Sequence, residues 1–150
     1  MVDRTMKGLY PILSMPFTHD GLIDEEDLRR EVEFCISKGS DGLGIAMASE
    51  IPKLSEDERD FVTRIVVEQT NGRAKIVVNT GAPSTSLALT YSIRAVELGA
   101  DAVMVIPPVG ISREATRSYY REIAKAVSVP IFIQDIDFSP VPPGLAAQIS

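Results

Sequence analysis

Few side chains in this sequence are reactive, and the polar ones that could do chemistry stand just after short apolar runs. Gln134 and Asp135 follow Pro130-Ile131-Phe132-Ile133, where an amide and a carboxylate could either touch a ligand or brace a loop. In Ala46-Met47-Ala48-Ser49-Glu50, Ser49 supplies the one hydroxyl, and Glu50 is either an acid/base or a carboxylate that holds its own loop. Asn79-Thr80-Gly81-Ala82-Pro83-Ser84 leads into a helix start, where free amides can hold an anion or simply close a connection. His19 lies in Thr18-His19-Asp20-Gly21, a turn by its Asp-Gly pair, and reads as a surface residue. The lysines are Lys7, Lys38, Lys53, Lys75 and Lys125, none of them at the end of an apolar run, and Lys53 reads as a solvated charge. With one histidine and one cysteine, and carboxylates that show no ligand spacing, no metal site and no cofactor are expected.

These residues need elements to position them, and the hydrophobic pattern supplies five strand-length runs at residues 8–17, 42–47, 75–79, 102–107 and 130–134. The runs are nearly continuous rather than alternating, as in parallel strands buried on both faces. Four helices with readable ends lie between them. Asp24 caps the first, which has Glu25, Glu26 and Asp27 in its electropositive first turn and stops at Gly39. Ser55-Glu56-Asp57-Glu58 is a capping box opening the second, which ends at Asn71-Gly72. Ser84 starts the third, which ends at Gly99, and Ser112 starts the fourth. Tyr119-Tyr120 on that fourth helix is expected to split between core and surface, and Cys35 reads as a small core residue. A weak repeat relates Gly39-Ser40-Asp41-Gly42-Leu43 to Gly99-Ala100-Asp101-Ala102-Val103.

Composition narrows the classes. A chain of 150 residues that is 45% hydrophobic and 24% charged can bury the core of one globular domain. A net charge of -6 and pI near 4.8 argue against a nucleic-acid partner, which needs a basic face. The start of the chain carries no apolar run of signal-peptide or membrane length, and Cys35 has no partner for a disulfide, so a cytoplasmic protein with no membrane contact is expected.

Strict β-α alternation implies right-handed crossovers and a parallel sheet. Length favours an open doubly wound sheet of flavodoxin type, because a closed barrel needs about 250 residues. The ending favours the barrel: Pro142 to Ser150 reads as a helix begun and not capped.

The residues that decide between them are collinear across nearly the whole chain. They are Gly8-Leu9-Tyr10-Pro11-Ile12-Leu13-Ser14-Met15-Pro16-Phe17 with Asp20-Gly21-Leu22-Ile23-Asp24, then Gly39-x-Asp41-Gly42, Glu50, Leu54-Ser55, Glu58-Arg59, Gly72-Arg73 and Gly99-Ala100-Asp101-Ala102. This series resembles the dihydrodipicolinate synthase / N-acetylneuraminate lyase family. The resemblance implies an α/β fold, a parallel (β/α)8 TIM barrel, of which residues 1–150 would be the N-terminal part of a single domain, holding the first five strands and about four and a half helices. It also implies class I aldolase chemistry, in which a lysine on the sixth strand attacks the keto carbon of pyruvate or a related 2-keto acid. That lysine would fall roughly one β/α unit beyond Ser150.

Each slot of the family site can be compared. Its Gly-Thr-Thr-Gly-Glu loop corresponds to residues 46–50, so the resemblance makes Ala48, Ser49 and Glu50 substrate-binding while removing both threonine hydroxyls. Its Pro-Tyr-Tyr corresponds to Pro107-Pro108-Val109, without the tyrosine that crosses a dimer interface. Its relay tyrosine corresponds to Gln134, with Asp135 following, and an amide cannot pass a proton as a phenol does. The resemblance therefore implies a Schiff-base lyase, aldolase or dehydratase acting on a sugar-derived 2-keto acid, other than an authentic dihydrodipicolinate synthase. Residues 1–150 alone are expected to be inactive and to form homo-oligomers, since a half-barrel has two open edges. The alternative is a non-catalytic half-barrel, either an assembly or binding module or an inert fragment.

Overall fold

The computed structural model describes residues 6–149. In chain order the elements are α1 Glu25–Ser37, β1 Gly42–Ile45, α2 Glu56–Thr70, β2 Lys75–Asn79, α3 Thr85–Glu97, β3 Ala102–Val105, α4 Arg113–Ala126, β4 Ile131–Ile133 and α5 Pro143–Ile149. The strands form one parallel sheet in the order β1-β2-β3-β4.

The run at residues 8–17 is not a full strand. Its pairing is a single parallel bridge between Ile12 and Gly44, where Leu13 N–H donates to Gly44 O and Gly44 N–H to Pro11 O, each at 2.9 Å. Pro11 and Pro16 carry no N–H, so the ladder is interrupted. Beyond it the chain turns back, with Phe17 bridging Ile23 antiparallel around His19-Asp20. The segment still lies beside β1, so the spatial order follows the chain, and the flavodoxin order, with the first strand beside the third, is excluded. The expected strands at 42–47, 102–107 and 130–134 are also shorter, ending at Ile45, Val105 and Ile133. Pro107 and Pro108 stop the second of these, and a tight turn at Met47–Ser49 stops the first.

Helix starts lie where the local chemistry puts them. Asp24 accepts from Asp27 N–H at 3.0 Å, and Ser55 and Glu58 form the reciprocal box, with Glu58 Oε2 2.8 Å from Ser55 N. Ser84 and Ser112 accept from Leu87 and Ala115. The repeated aspartates have a shared role: Asp41 accepts from Leu9 N–H at 2.8 Å and Asp101 from Ile76 N–H at 2.9 Å, each tying a strand to the preceding one.

The core lies between the outer face of the sheet and the helices, with Leu43, Ile45, Val103 and Val105 against Leu28, Val32, Val62 and Ile123. Tyr119 and Tyr120 do not split between core and surface. Both are 2% exposed, in edge-to-face contact at 5.7 Å, because their hydroxyls find backbone carbonyls of the sheet and its loops. Cys35 is half-buried against the core, and burial pushes its thiol pKa up. No helix among the described residues is long and apolar enough to cross a membrane.

Candidate active site

The other face of the sheet carries the site. Ile12, Gly44, Val77, Met104 and Phe132 line one apolar cavity there, and at Gly44 an added Cβ would stand 2.3 Å from Ile12 Cδ1, so the end of the Ile12 side chain occupies the space a Cβ would take. Alternation along β2 and β4 then carries Asn79 and Gln134 to the same face at the C-terminal end of the strands. They meet: Asn79 Nδ2 donates to Gln134 Oε1 at 2.7 Å, and Gly81 N–H donates to Asn79 Oδ1 at 3.1 Å. Gln134 N–H is in turn fixed on Val105 O at 3.0 Å.

The loop after Asn79 is braced from behind. Tyr119 Oη accepts from Ala82 N–H at 3.1 Å, and Ser92 Oγ donates to the buried Thr80 Oγ1 at 2.8 Å. Tyr120 Oη donates to Val105 O at 2.7 Å, and burial pushes the pKa of both phenols up. These tyrosines hold strand ends and do not line the cavity.

The loop after β1 is a second cluster. Ser49 is fully buried; its hydroxyl donates to Leu13 O and accepts from Ala46 N–H at 3.1 Å. That hydroxyl therefore fastens the loop to the first segment. Glu50 sits in the left-handed region at φ 56°, accepts Lys53 N–H on its carbonyl at 2.8 Å and pairs its carboxylate with Lys53 Nζ. Ala48 is exposed and shares an open groove with Ser14, Met15, Glu50 and Glu58. Asp135 is exposed, and its carboxylate accepts Val141 N–H at 2.8 Å, closing the loop before α5.

Of the residues singled out from the sequence, Gln134 is joined to another polar side chain on the inner face, while Ser49 and Asp135 bond to backbone. Asn79 completes the pair. The signal for it was present, since KIVVN and PIFIQ each end in an amide.

The other candidates lie elsewhere. His19 is fully exposed in its turn, Lys53 is exposed, and Lys75 opens β2 beside Asp101, with Nζ to Oδ1 at 2.7 Å. No lysine among the described residues stands at a strand's C-terminal end, and no group of three metal-ligating side chains gathers there.

A model of the dihydrodipicolinate synthetase family matches residues 5–141. The chain belongs to this family. It is 35% identical over 135 residues to an L-2-keto-3-deoxyarabonate dehydratase of Azospirillum brasilense, covering 86% of this chain and 44% of that protein. It is 38% identical over 133 residues to a 4-hydroxy-tetrahydrodipicolinate synthase of Pelobacter propionicus, covering 87% and 46%. Among solved structures, the dihydrodipicolinate synthase of Acinetobacter baumannii, complexed with pyruvate, superposes with a TM-score of 0.93 at 26% identity, covering 97% of this chain and 52% of that one. The N-acetylneuraminate lyase of Mycoplasma synoviae gives 0.83 at 28%, covering 95% and 50%. The chain thus spans about half the length of the family members it matches, and its sheet is the corresponding part of their barrel.

Proposed function

We propose that the protein containing this chain is a Schiff-base-forming lyase or dehydratase of the dihydrodipicolinate synthetase family, acting on a sugar-derived 2-keto acid. The observation that carries this is the inward-facing pair of Asn79 and Gln134 at the C-terminal end of a parallel sheet, where barrel enzymes bind substrate. The pair supplies hydrogen bonds and no proton relay, which favours a substrate chemistry distinct from that of the authentic synthases. Likeness to the keto-sugar-acid dehydratase supports the same choice. In this scheme Gln134 touches the substrate, Ala48 and Glu50 shape the neighbouring carboxylate loop, and Ser49 and Asp135 act through the backbones they hold.

The nucleophile would be a lysine outside residues 1–150. Its amine adds to the keto carbon, water leaves, and the resulting imine serves as the electron sink. Borohydride adds hydride to that imine and makes the link permanent, so treatment of the complete gene product with pyruvate and borohydride should add one reduced pyruvyl group on one lysine. The 150-residue chain alone should keep its mass. Failure of the complete product to take up pyruvate or any 2-keto-3-deoxy acid would remove this proposal. Among the described residues no lysine stands at a strand's C-terminal end, which is the observation favouring a second reading, a binding or assembly half-barrel, and that outcome would leave it standing.

A further inference from the structure

Asn79 and Gln134 are 55 residues apart, on strands separated by β3, and their amides are joined in one direction only. Gly81 sets the direction. Its backbone N–H can only donate, so the group of Asn79 that faces it is the carbonyl oxygen Oδ1, at 3.1 Å. Asn79 Nδ2 must then point at Gln134, and Gln134 must answer with Oε1, at 2.7 Å. The amide of Gln134 is left with its Nε2 hydrogens unused, and it finds no acceptor for them among the described residues.

The chain cannot easily reverse this order. A Cβ at Gly81 would stand 2.7 Å from Ile106 N and 2.8 Å from Ile106 O, so the loop is pressed onto β3's continuation. Ala82 is pinned by Tyr119, and Asn79 is 3% exposed, too buried to exchange its partners for water.

We propose that Asn79 is a positioning residue that polarises Gln134, so that the site meets its ligand there with N–H donors and selects an oxygen acceptor. For a 2-keto acid, whose place in this site rests on the function proposed above, that acceptor is a carboxylate or carbonyl oxygen. A ligand presenting only a donor at this point meets two donors and is disfavoured.

The test is a double-mutant cycle on the complete gene product, with pyruvate as probe and binding read by calorimetry. Gln134→Leu removes the donors and Asn79→Ala frees the amide to turn. Each single variant is expected to weaken binding about tenfold, the size of one charge-assisted hydrogen bond. In the Gln134→Leu background, Asn79→Ala should add less than about a twofold loss, since it acts only through Gln134. An equal loss in both backgrounds, or no loss in either, overturns the proposal.

A second measurement needs no ligand. Side-chain amide NMR should show one Asn79 Nδ2 proton protected from solvent exchange and the Gln134 Nε2 protons unprotected. Asn79→Asp, which accepts from both sides, should flip Gln134 and protect one of its protons. Protection of Gln134 in the unsubstituted protein overturns the orientation whatever binds. Absence of pyruvate binding with the expected NMR pattern would instead count against the proposed function while leaving the polarised amide in place.

Discussion

The single hydroxyl of Tyr119 meets both backbone groups of Ala82, accepting from its N–H at 3.1 Å and approaching its carbonyl at 3.2 Å. One side chain of α4 thus closes the loop that follows Asn79. Tyr119→Phe should leave the buried Ala82 N–H without a partner, costing about 1–3 kcal/mol. Chemical denaturation and hydrogen exchange at the Ala82 amide would check this. Unchanged stability and exchange would mean that the hydroxyl braces nothing.

Asp101→Ala should destabilise by about 1–2 kcal/mol, because Ile76 N–H loses its acceptor at the start of β2. Lys75→Ala should cost less, as its ion pair with Asp101 is partly exposed to solvent and screened by it. The pair of unfolding curves decides the matter: a larger loss from the lysine change would show that charge, and not the backbone bond, holds this corner.

Acid should erode an ion pair between elements and a helix cap together. The Arg73 guanidinium and then the Gln69 amide hold Glu33 below the ordinary glutamate pKa of 4.5, and the Ser55 N–H, then its hydroxyl, does the same for Glu58. Depressed folded-state values mean that this stabilisation is complete above the ordinary value and is lost as pH falls through the lowered one. Glu33→Gln with Glu58→Gln should therefore be less stable at neutral pH and show a flatter decline below about pH 4.5. Parallel urea midpoints for the two proteins down to about pH 3 would measure it; identical acid limbs would contradict the assignment.

The isolated 150-residue chain should associate. Ile12 and Phe132 are each 38% exposed on the inner face, and the segment around Ile12 and strand β4 are the two edges of the sheet. Hiding about 400 Å² of such surface is worth about 10 kcal/mol before association costs. Sedimentation at micromolar concentration should show dimers or larger species, or the chain should bind a hydrophobic dye. A compact monomer that ignores the dye would show the open face to be tolerated.

Helix starts were legible residue by residue, because a cap joins groups three positions apart and needs nothing from the rest of the chain: Asp24, Ser55, Ser84 and Ser112 each cap the helix read from them. The parallel order was also legible, since strict alternation with short loops leaves few other paths. What lay beyond reach were choices between distant partners. Residues 8–17 have strand-like composition, yet the prolines and the turn at His19 leave a bridge. Ser49 carries a hydroxyl in a candidate ligand loop, yet Leu13 O, 36 residues earlier, takes it. Neighbouring positions on a helix point in different directions, so the periodic pattern divides Tyr119 from Tyr120, yet both are drawn inward by carbonyls that only the folded sheet presents. The site shows the same division. Gln134 could be placed at a strand end from the sequence, and the Gly81 bond that orients Asn79 is local, but which amide atom of Gln134 faces a ligand depends on Asn79 reaching it across 55 residues, which the tertiary fold alone brings about.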